Sequence, residues 1–311
     1  MNLLQHKHWK IRPDIERALN HQQPVVALET AVVTHGLPYP TNLELARSVE
    51  AIVRSEHALP ATIGVLDGKM IIGLEDNQLE TLADPQTHVK KISPRDIGLA
   101  LATGLSGGTT VGASIVAAAK AGLRVFATGG IGGVHREPPF DISADLITLH
   151  DVPMIVVCSG AKSILNLPAT LELLESYGIP VLGYQTDQFP AFYAANSGLK
   201  VTAKVDSVKV IAKIAREQWL AGLRNAILVV QPPPAEDAMP TEEMEEIISH
   251  AITLAAKDGI QGAALTPYLL NRVNDLSHGH SLIANLALLK NNARLAAQIA
   301  CAYSPSDHKT I

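Results

Sequence analysis

The segment MIVVCSGAKSIL, Met154–Leu165, contains an apolar run, a turn of small residues and a lysine. The apolar run Met154–Cys158 predicts a buried β-strand, and Ser163–Tyr177 predicts the helix that follows it. Lys162 lies between the two, just past the carboxyl end of the strand. The segment therefore predicts one strand–helix unit of a parallel sheet.

The same alternation of strands and helices extends in both directions from this unit. Further strands are predicted at 25–34, 61–66, 69–74, 109–111, 123–126, 180–182 and 226–230. Further helices are predicted from Thr41 and Ser93 (each with a capping box), after 109–111, and at 143–150, 206–222, 241–257 and 283–301. Since Asp67-Gly68 predicts a hairpin, the sheet should be mixed although largely parallel.

This pattern predicts one α/β domain over residues 1–311, with a helical C-terminal cover. No repeat, low-complexity tract or linker interrupts it. Residues 1–23 are interpreted as an N-terminal helix or extension, and residues 304–311 as a flexible tail.

Composition and charge exclude several classes of protein. The formal net charge is −5, and Lys90-Lys91 is only a pair, so we expect no nucleic-acid partner. No apolar run is long enough to span a membrane, and the N-terminus does not resemble a secretory signal. Cys158 and Cys301 lie in apolar stretches without metal-binding spacing, which predicts two buried free thiols and a cytoplasmic location.

Two residues could carry chemistry at the strand ends. Lys162 lies where α/β proteins bind ligands, and an amine that loses solvation there can act as a nucleophile. From its spacing alone, a surface lysine that caps the strand or pairs with a carboxylate is the more frequent case. Glu29 interrupts an apolar strand, which indicates either a buried ion-pair member or a general acid whose apolar surroundings raise its pKa.

A glycine-rich loop and two carboxylates give weaker signals. The loop Thr128–Arg136 follows a strand, and its glycines would let backbone amides approach an anion, with His135 and Arg136 adding positive charge. A plain glycine turn is the alternative. Asp141 and Asp145, four residues apart, could bind a metal and a substrate hydroxyl. Alternatively, Asp141 is a helix N-cap and Asp145 a solvated acid in the first turn.

Several longer blocks resemble a known family. They are Val26–Pro40 (VALETAVVTHGLPYP), Gly107–Ser114 (GGTTVGAS), Val125–Arg136 (VFATGGIGGVHR), Phe140–Leu146 (FDISADL), Val156–Leu165 (VVCSGAKSIL), Gly183–Thr186, Pro190–Phe192 and Ser281–Ala300. In this order they look like the pseudouridine-5'-phosphate glycosidases, an indigoidine synthase A-like family, from residue 24 to 303.

The resemblance implies a three-layer α/β/α fold, a homotrimer and a divalent metal ion, usually Mn²⁺. It implies the pseudouridylate synthase reaction of nucleotide catabolism, classed with the carbon–oxygen lyases, in which pseudouridine 5'-phosphate is reversibly cleaved to uracil and ribose 5-phosphate. By alignment, Lys162 is the nucleophile, Glu29 the proton donor and Asp141 the metal ligand. The aligned substrate contacts are Lys91, Val111, Thr128, His135, Ser143, Ala144, Asp145 and Asn285.

A carbon–carbon glycosidic bond has no leaving group on nitrogen or oxygen, which is why an amine is needed. The hypothesis is that Glu29 protonates the ribose ring oxygen, Lys162 adds to the anomeric carbon, and Lys91 keeps Lys162 neutral by like-charge proximity. One alternative is a class I aldolase acting on a phosphorylated sugar. Another is a non-catalytic phosphosugar-binding protein, in which Lys162 would only contact phosphate.

Overall fold

A mixed β-sheet forms the centre of the computed structural model, which describes residues 7–136, 141–260 and 262–304. Within those ranges the sheet has 11 strands, and nine of them follow the order β1-β4-β3-β2-β7-β8-β11-β9-β10. The strands are β1 Trp9–Ile11, β2 Val25–Leu28, β3 Leu59–Leu66, β4 Lys69–Ile72, β5 Lys90–Ile92, β6 Gly107–Thr109, β7 Val125–Ala127, β8 Ile155–Cys158, β9 Val181–Tyr184, β10 Ala203–Val205 and β11 Ile227–Val230.

The central strands are parallel and fully buried. Strands β2, β7, β8 and β11 are adjacent in that order and consist of apolar residues that are all buried. Such runs are typical of strands that helices cover on both faces. The hairpin partner β4 and the short strand β6 run antiparallel to β3, which makes the sheet mixed as predicted. The carboxyl ends of the four central strands therefore meet at one edge of the molecule.

Helices cover the sheet in two groups. They are α1 Pro13–Asn20, α2 Thr41–Ser55, α3 Asp76–Ala83, α4 Ile97–Thr103, α5 Val111–Lys120, α6 Ala144–Asp151, α7 Leu167–Ser176, α8 Val208–Leu220, α9 Thr241–Lys257, α10 Leu265–Leu276 and α11 His280–Tyr303. The long helix α11 packs on β2, β7 and β8 and touches α2 and α8, whereas α5 packs on β2 and β3 and touches α6. The predicted α/β class and the helical C-terminal cover are confirmed.

Three predictions of local structure are wrong, each for a local reason. Helix α7 begins at Leu167 instead of Ser163, because the Asn166 side chain caps it by accepting from the Ala169 amide. The Thr41–Glu44 capping box does not form, because Pro40 occupies the N-cap position of α2. The predicted strand 25–34 ends at Leu28, and a turn of π-helix follows at Val32–Gly36. By contrast, the Ser93–Asp96 capping box is present.

The two cysteines differ in their surroundings. Both are free thiols, but Cys158 is buried whereas Cys301 is exposed. The prediction of two buried thiols is therefore wrong for Cys301, which lies near the end of α11 with its Sγ 3.4 Å from the Glu56 carbonyl oxygen. Burial raises the pKa of the Cys158 thiol to about 12, so this residue is inert at neutral pH.

The N-terminal extension belongs to the sheet. Within residues 7–23, β1 pairs in parallel with β4, and α1 packs beneath β2 and β3. The predicted tail, apart from Ser304, lies outside the described residues. Over the described part of the chain, no helix is long and apolar enough to cross a membrane.

Candidate active site

A polar residue follows each of the four central strands directly. Glu29 comes after β2, Thr128 after β7, Ser159 after β8 and Gln231 after β11. Because these strands are parallel neighbours in the same order, the four side chains form a row along one edge of the sheet. This is the edge at which open α/β sheets bind ligands.

Glu29 is held by its neighbour in this row. The Thr128 hydroxyl donates to Glu29 Oε1 over 2.5 Å. Burial raises the pKa of the Glu29 carboxyl, and the positive charge of Lys162 and the bond from Thr128 oppose that rise. A carboxyl with a raised pKa retains its proton to higher pH, which suits a general acid.

Lys162 lies in the turn between β8 and α7. Its backbone amide donates to Ile131 O over 3.1 Å, and Ala161 pairs with Ile131 as an isolated parallel bridge. Gly160 has a φ of 86°, a value that favours glycine, and this lets the chain turn directly after the strand. The lysine is therefore fixed at the strand end by backbone bonds to the glycine-rich loop.

Lys91 enters the site from β5. Burial lowers the pKa of its ammonium group, and the positive charge of Lys162 lowers it further, while Asp145 and Glu29 act in the opposite direction. The charge of Lys162 thus acts on the pKa of Lys91. The hypothesis that Lys91 keeps Lys162 neutral by like-charge proximity stays a prediction.

A small cavity of about 60 Å³ joins these groups. Five residues picked out from the sequence line this pocket, namely Glu29, Lys91, Thr128, Lys162 and Asn285. The other lining residues are Ala31, Val32, His35, Gly36, Gly129, Gly130, Thr266, Pro267, Leu270 and Leu289. We call this cavity the Glu29–Lys162 pocket.

His35 and Thr266 were not recognised as site residues from the sequence. His35 lies in the π-helical turn, and its Nδ1 is 2.6 Å from the Thr34 hydroxyl. Burial, together with the charge of Lys91, lowers the pKa of this histidine. Thr266 belongs to α10, a helix that sequence periodicity did not reveal. A histidine within the block Val26–Pro40 was the available signal for the first, whereas nothing in the sequence pointed to the second.

Asp145 holds the backbone of the site together. It is 6% exposed, and its two carboxylate oxygens accept from the amides of Gly112 and Gly132, each over 2.8 Å. The alternative of a solvated first-turn acid is therefore wrong. Its charge nevertheless influences the pKa values of Glu29 and Lys91.

The other residues aligned with substrate contacts do not line the Glu29–Lys162 pocket. Val111 is buried at the start of α5, and Ala144 is exposed at the start of α6. Ser143 caps α6 by accepting from the Asp145 amide, so the alternative of Asp141 as that N-cap is wrong.

His135 lies close to the pocket, with its Nε2 3.5 Å from the hydroxyl of the pocket residue Thr266. Burial lowers the pKa of His135, and Asp141 opposes this.

Close packing accounts for the glycines of the loop. A Cβ on Gly130 would lie 2.6 Å from Phe192, one on Gly132 2.2 Å from Ser143 Oγ, and one on Gly133 2.4 Å from Thr170 Oγ1. The amides of residues 131, 132, 134 and 135 donate to protein acceptors. The loop therefore fits between α6, α7 and the Lys162 turn, and those four amides bond within the protein instead of facing a bound phosphate.

Asp141 is the candidate metal-binding residue, and His135 is its neighbour in space. His135 donates its amide to the Asp141 carbonyl over 2.9 Å, so the two are close. Among the described residues no three His, Cys, Asp or Glu side chains gather into a group that could hold a metal ion. A single carboxylate suits a hard divalent cation that retains several waters, and does not suit one enclosed by protein ligands. Residues 137–140, which include Phe140 of the resembling block, lie outside the described residues.

Larger grooves occur elsewhere on the surface. One of about 630 Å³ lies at the opposite end of the sheet, beside the starts of β2 and β7, and is lined by Trp219 and Tyr303 among others. It lacks an acid–amine combination like that of Glu29 and Lys162. The smaller pocket, which brings an acid and two amines together, is therefore the candidate active site.

The protein thus belongs to the α/β class and carries an acid and an amine at the ends of neighbouring parallel strands. Comparisons with known proteins identify its family. A sequence profile described as "Indigoidine synthase A like protein" matches residues 14–302. The chain therefore belongs to the indigoidine synthase A-like family. Relatives named pseudouridine-5'-phosphate glycosidase come from Solibacter usitatus, with 50% identity over 94% of this chain and 98% of that protein, and from Caldanaerobacter subterraneus subsp. tengcongensis, with 48% identity over 92% and 94%.

Two solved structures share the fold. The prealnumycin C-glycosynthase AlnA, in complex with ribulose 5-phosphate, superposes with a TM-score of 0.89 at 38% identity and covers 96% of this chain and 98% of its own. An indigoidine synthase A-like protein from Thermotoga maritima gives the same TM-score and coverage at 33% identity. Both are similar to this protein over nearly their whole length.

Proposed function

We propose that this protein cleaves the carbon–carbon glycosidic bond of pseudouridine 5'-phosphate to give uracil and ribose 5-phosphate. The observation that supports this most is the placement of Glu29, Lys91 and Lys162 around one pocket. The names of the relatives point to the same substrate. A protein that only bound a phosphosugar would not need both an acid with a raised pKa and an amine at its side.

In the proposed mechanism Glu29 donates its proton to the ribose ring oxygen, and the ring opens with help from the uracil π system. The Lys162 amine adds to C1 of the sugar. The C1–C5 bond to uracil then breaks, its electron pair stays with the base, and C5 takes up a proton. The iminium ion left between Lys162 and the sugar is hydrolysed by one water to release ribose 5-phosphate.

The neighbouring residues would assist these steps. Lys91, whose pKa burial lowers, would orient the sugar hydroxyls and disfavour a second positive charge at Lys162. Asp141 would hold a divalent ion, which we take to be Mn²⁺, and this ion would supply positive charge to the phosphate. The homotrimer and the cytoplasmic location that we expect stay predictions, and light scattering on the purified protein tests the first.

The reverse reaction is a second candidate activity. AlnA, with its similar fold, is named a C-glycosynthase and binds ribulose 5-phosphate. The steps above are individually reversible, so uracil and ribose 5-phosphate could be joined in the same pocket. Incubating both products with the enzyme and following formation of pseudouridine 5'-phosphate tests this direction.

The primary experiment follows uracil release from pseudouridine 5'-phosphate in the presence of Mn²⁺. We expect Lys162→Ala to lower kcat by at least about 10³-fold while the circular dichroism spectrum is retained. Borohydride added during turnover should attach the mass of a reduced pentose phosphate to Lys162. Labelling of another lysine, or of none, would overturn the assignment, and an aldolase would split the sugar without releasing uracil.

A further inference from the structure

The C-terminal helix α11 carries two buried asparagines above the site. Asn285 is 8% exposed and lines the Glu29–Lys162 pocket, whereas Asn292 is 0% exposed. They are seven residues apart, two turns of an α-helix, so they lie on the same face of α11. Asn292 is therefore directed at the strand ends but lies behind the pocket wall.

Asn292 bonds to the ends of three strands at once. Its Nδ2 donates to the Thr128 carbonyl after β7 over 2.9 Å, and its Oδ1 accepts from Gln231 Nε2 after β11 over 3.1 Å. The Ser159 hydroxyl after β8 lies 3.1 Å from Nδ2 and 3.3 Å from Oδ1. Since both ends of the amide have partners of the right kind, the side chain has one preferred orientation.

Thr128 connects this network to the proposed acid. Its carbonyl accepts from Asn292, and its hydroxyl donates to Glu29 Oε1. Because both groups belong to one residue, a shift of the Thr128 backbone also shifts the hydroxyl that holds the carboxyl. Small displacements of a reacting group can reduce rates by about 10²-fold.

We propose that Asn292 is a positioning residue for the reaction, which acts by holding Thr128 so that its hydroxyl fixes the Glu29 carboxyl against the sugar. Asn292 itself does not touch the substrate. The proposal rests on the proposed role of Glu29 as the proton donor. It makes a buried side chain of the C-terminal cover part of the catalytic apparatus.

The test compares Asn292→Leu, Thr128→Val and the double variant by the pH dependence of kcat. Activity requires protonated Glu29 and falls as pH rises through its pKa, while the Thr128 hydroxyl stabilises the carboxylate and so lowers that pKa. Loosening Thr128 should therefore move this fall to higher pH. We expect Asn292→Leu to lower kcat about 10-fold and to change KM by no more than about 3-fold. The fall of kcat at alkaline pH, which we call the alkaline limb, should move to higher pH.

The double variant decides whether Asn292 acts through Thr128. If it does, Asn292→Leu adds little to Thr128→Val in either kcat or the position of the limb. Asn225→Leu is the matched control, because Asn225 is 8% exposed, bonds to the Gly178 carbonyl, and lies before β11 at the opposite end of the sheet. We expect its kcat profile to match that of the unmodified enzyme.

Three results would overturn the proposal: an unchanged alkaline limb in Asn292→Leu, full additivity with Thr128→Val, or an equal shift in Asn225→Leu. If Asn292→Leu does not fold, Asn292→Ala, which adds no bulk, is judged by the same criteria. The proposed function fails separately, when the unmodified enzyme releases no uracil or Lys162→Ala retains turnover. If the unmodified enzyme reacts only in the reverse direction, Glu29 must be deprotonated, and the rise of kcat with pH is then compared, which should likewise move to higher pH in Asn292→Leu.

Discussion

Burial acts on Glu29 and Lys91 in opposite directions. It raises the pKa of the carboxyl and lowers that of the ammonium group, so both are moved towards their neutral forms. The proposed chemistry needs this, since the acid must retain a proton and the sugar must approach two lysines without excessive positive charge. The same burial has a cost in stability.

That cost can be measured at Lys91. Because its pKa is lower in the folded chain, the unfolded chain binds more protons between the lowered value and 10.5, and stability falls as pH decreases through this window. We expect Lys91→Met to raise Tm at neutral pH by about 2 °C while lowering activity, and the gain in Tm to shrink as pH approaches 10.5. Thermal unfolding at several pH values measures this. Lys90→Met is the control, since Lys90 is exposed on the same strand, and an equal gain there would contradict the explanation.

At this scale the sequence revealed the residues that stand out chemically. Glu29 and Lys162 were found because a charged residue at the end of an apolar strand is unusual, and the family resemblance added Lys91, Thr128 and Asn285. Asn292 was not found, since an asparagine among apolar residues of a helix does not show what it bonds to. Its partners come from Thr128, Ser159 and Gln231, which only the folded sheet brings together.

The glycine-rich loop illustrates how elements constrain one another. Its glycines suggested an anion site, but in the structure they let the loop approach α6 and α7 closely. Sequence patterns predict that small residues are needed but not which neighbour requires them. In the same way, α7 begins at Leu167 instead of the predicted Ser163, because the Asn166 side chain caps the helix there. Helix α10 was missed altogether.

The space around two glycines, one in this loop and one in α4, gives a prediction for stability. A methyl group on Gly132 would lie 2.2 Å from Ser143 Oγ and 2.8 Å from Asp145 Oδ2, so we expect Gly132→Ala to destabilise the fold by about 1–3 kcal/mol. Gly98 in α4 has no heavy atom within 4 Å of the equivalent position. Gly98→Ala should therefore stabilise by about 0.5 kcal/mol. Urea unfolding of both variants checks this, and a Gly132→Ala variant as stable as the unmodified protein would refute the packing account.

On the scale of the whole molecule, α9 and α10 close the site. Residues of α10 line the Glu29–Lys162 pocket, whose volume of about 60 Å³ is far below the roughly 300 Å³ of a typical small-molecule site. Arg136 ties α9 down through a bidentate ion pair with Glu245, both contacts being 2.8 Å, and also donates to the Ser163 and Leu165 carbonyls. We therefore predict that this helical pair moves when a substrate enters.

Loosening the ion pair should make that movement easier. We expect Glu245→Gln to speed hydrogen exchange in α9 and α10 and to change KM by a few-fold, with Tm lowered by no more than about 2 °C because the pair is partly exposed. Hydrogen exchange with mass spectrometry measures this. Glu246→Gln, on the same helix and exposed, is the control. Equal exchange in both variants would show that the Arg136–Glu245 pair does not hold the helices.

The position of α11 has a consequence for biosynthesis. The strand ends that form the site are complete by residue 231, yet their arrangement depends on side chains at 285 and 292. A nascent polypeptide thus cannot complete the site until residue 292 has left the ribosome. A premature stop codon anywhere upstream of position 292 should yield an inactive product, even when every proposed catalytic group has been translated.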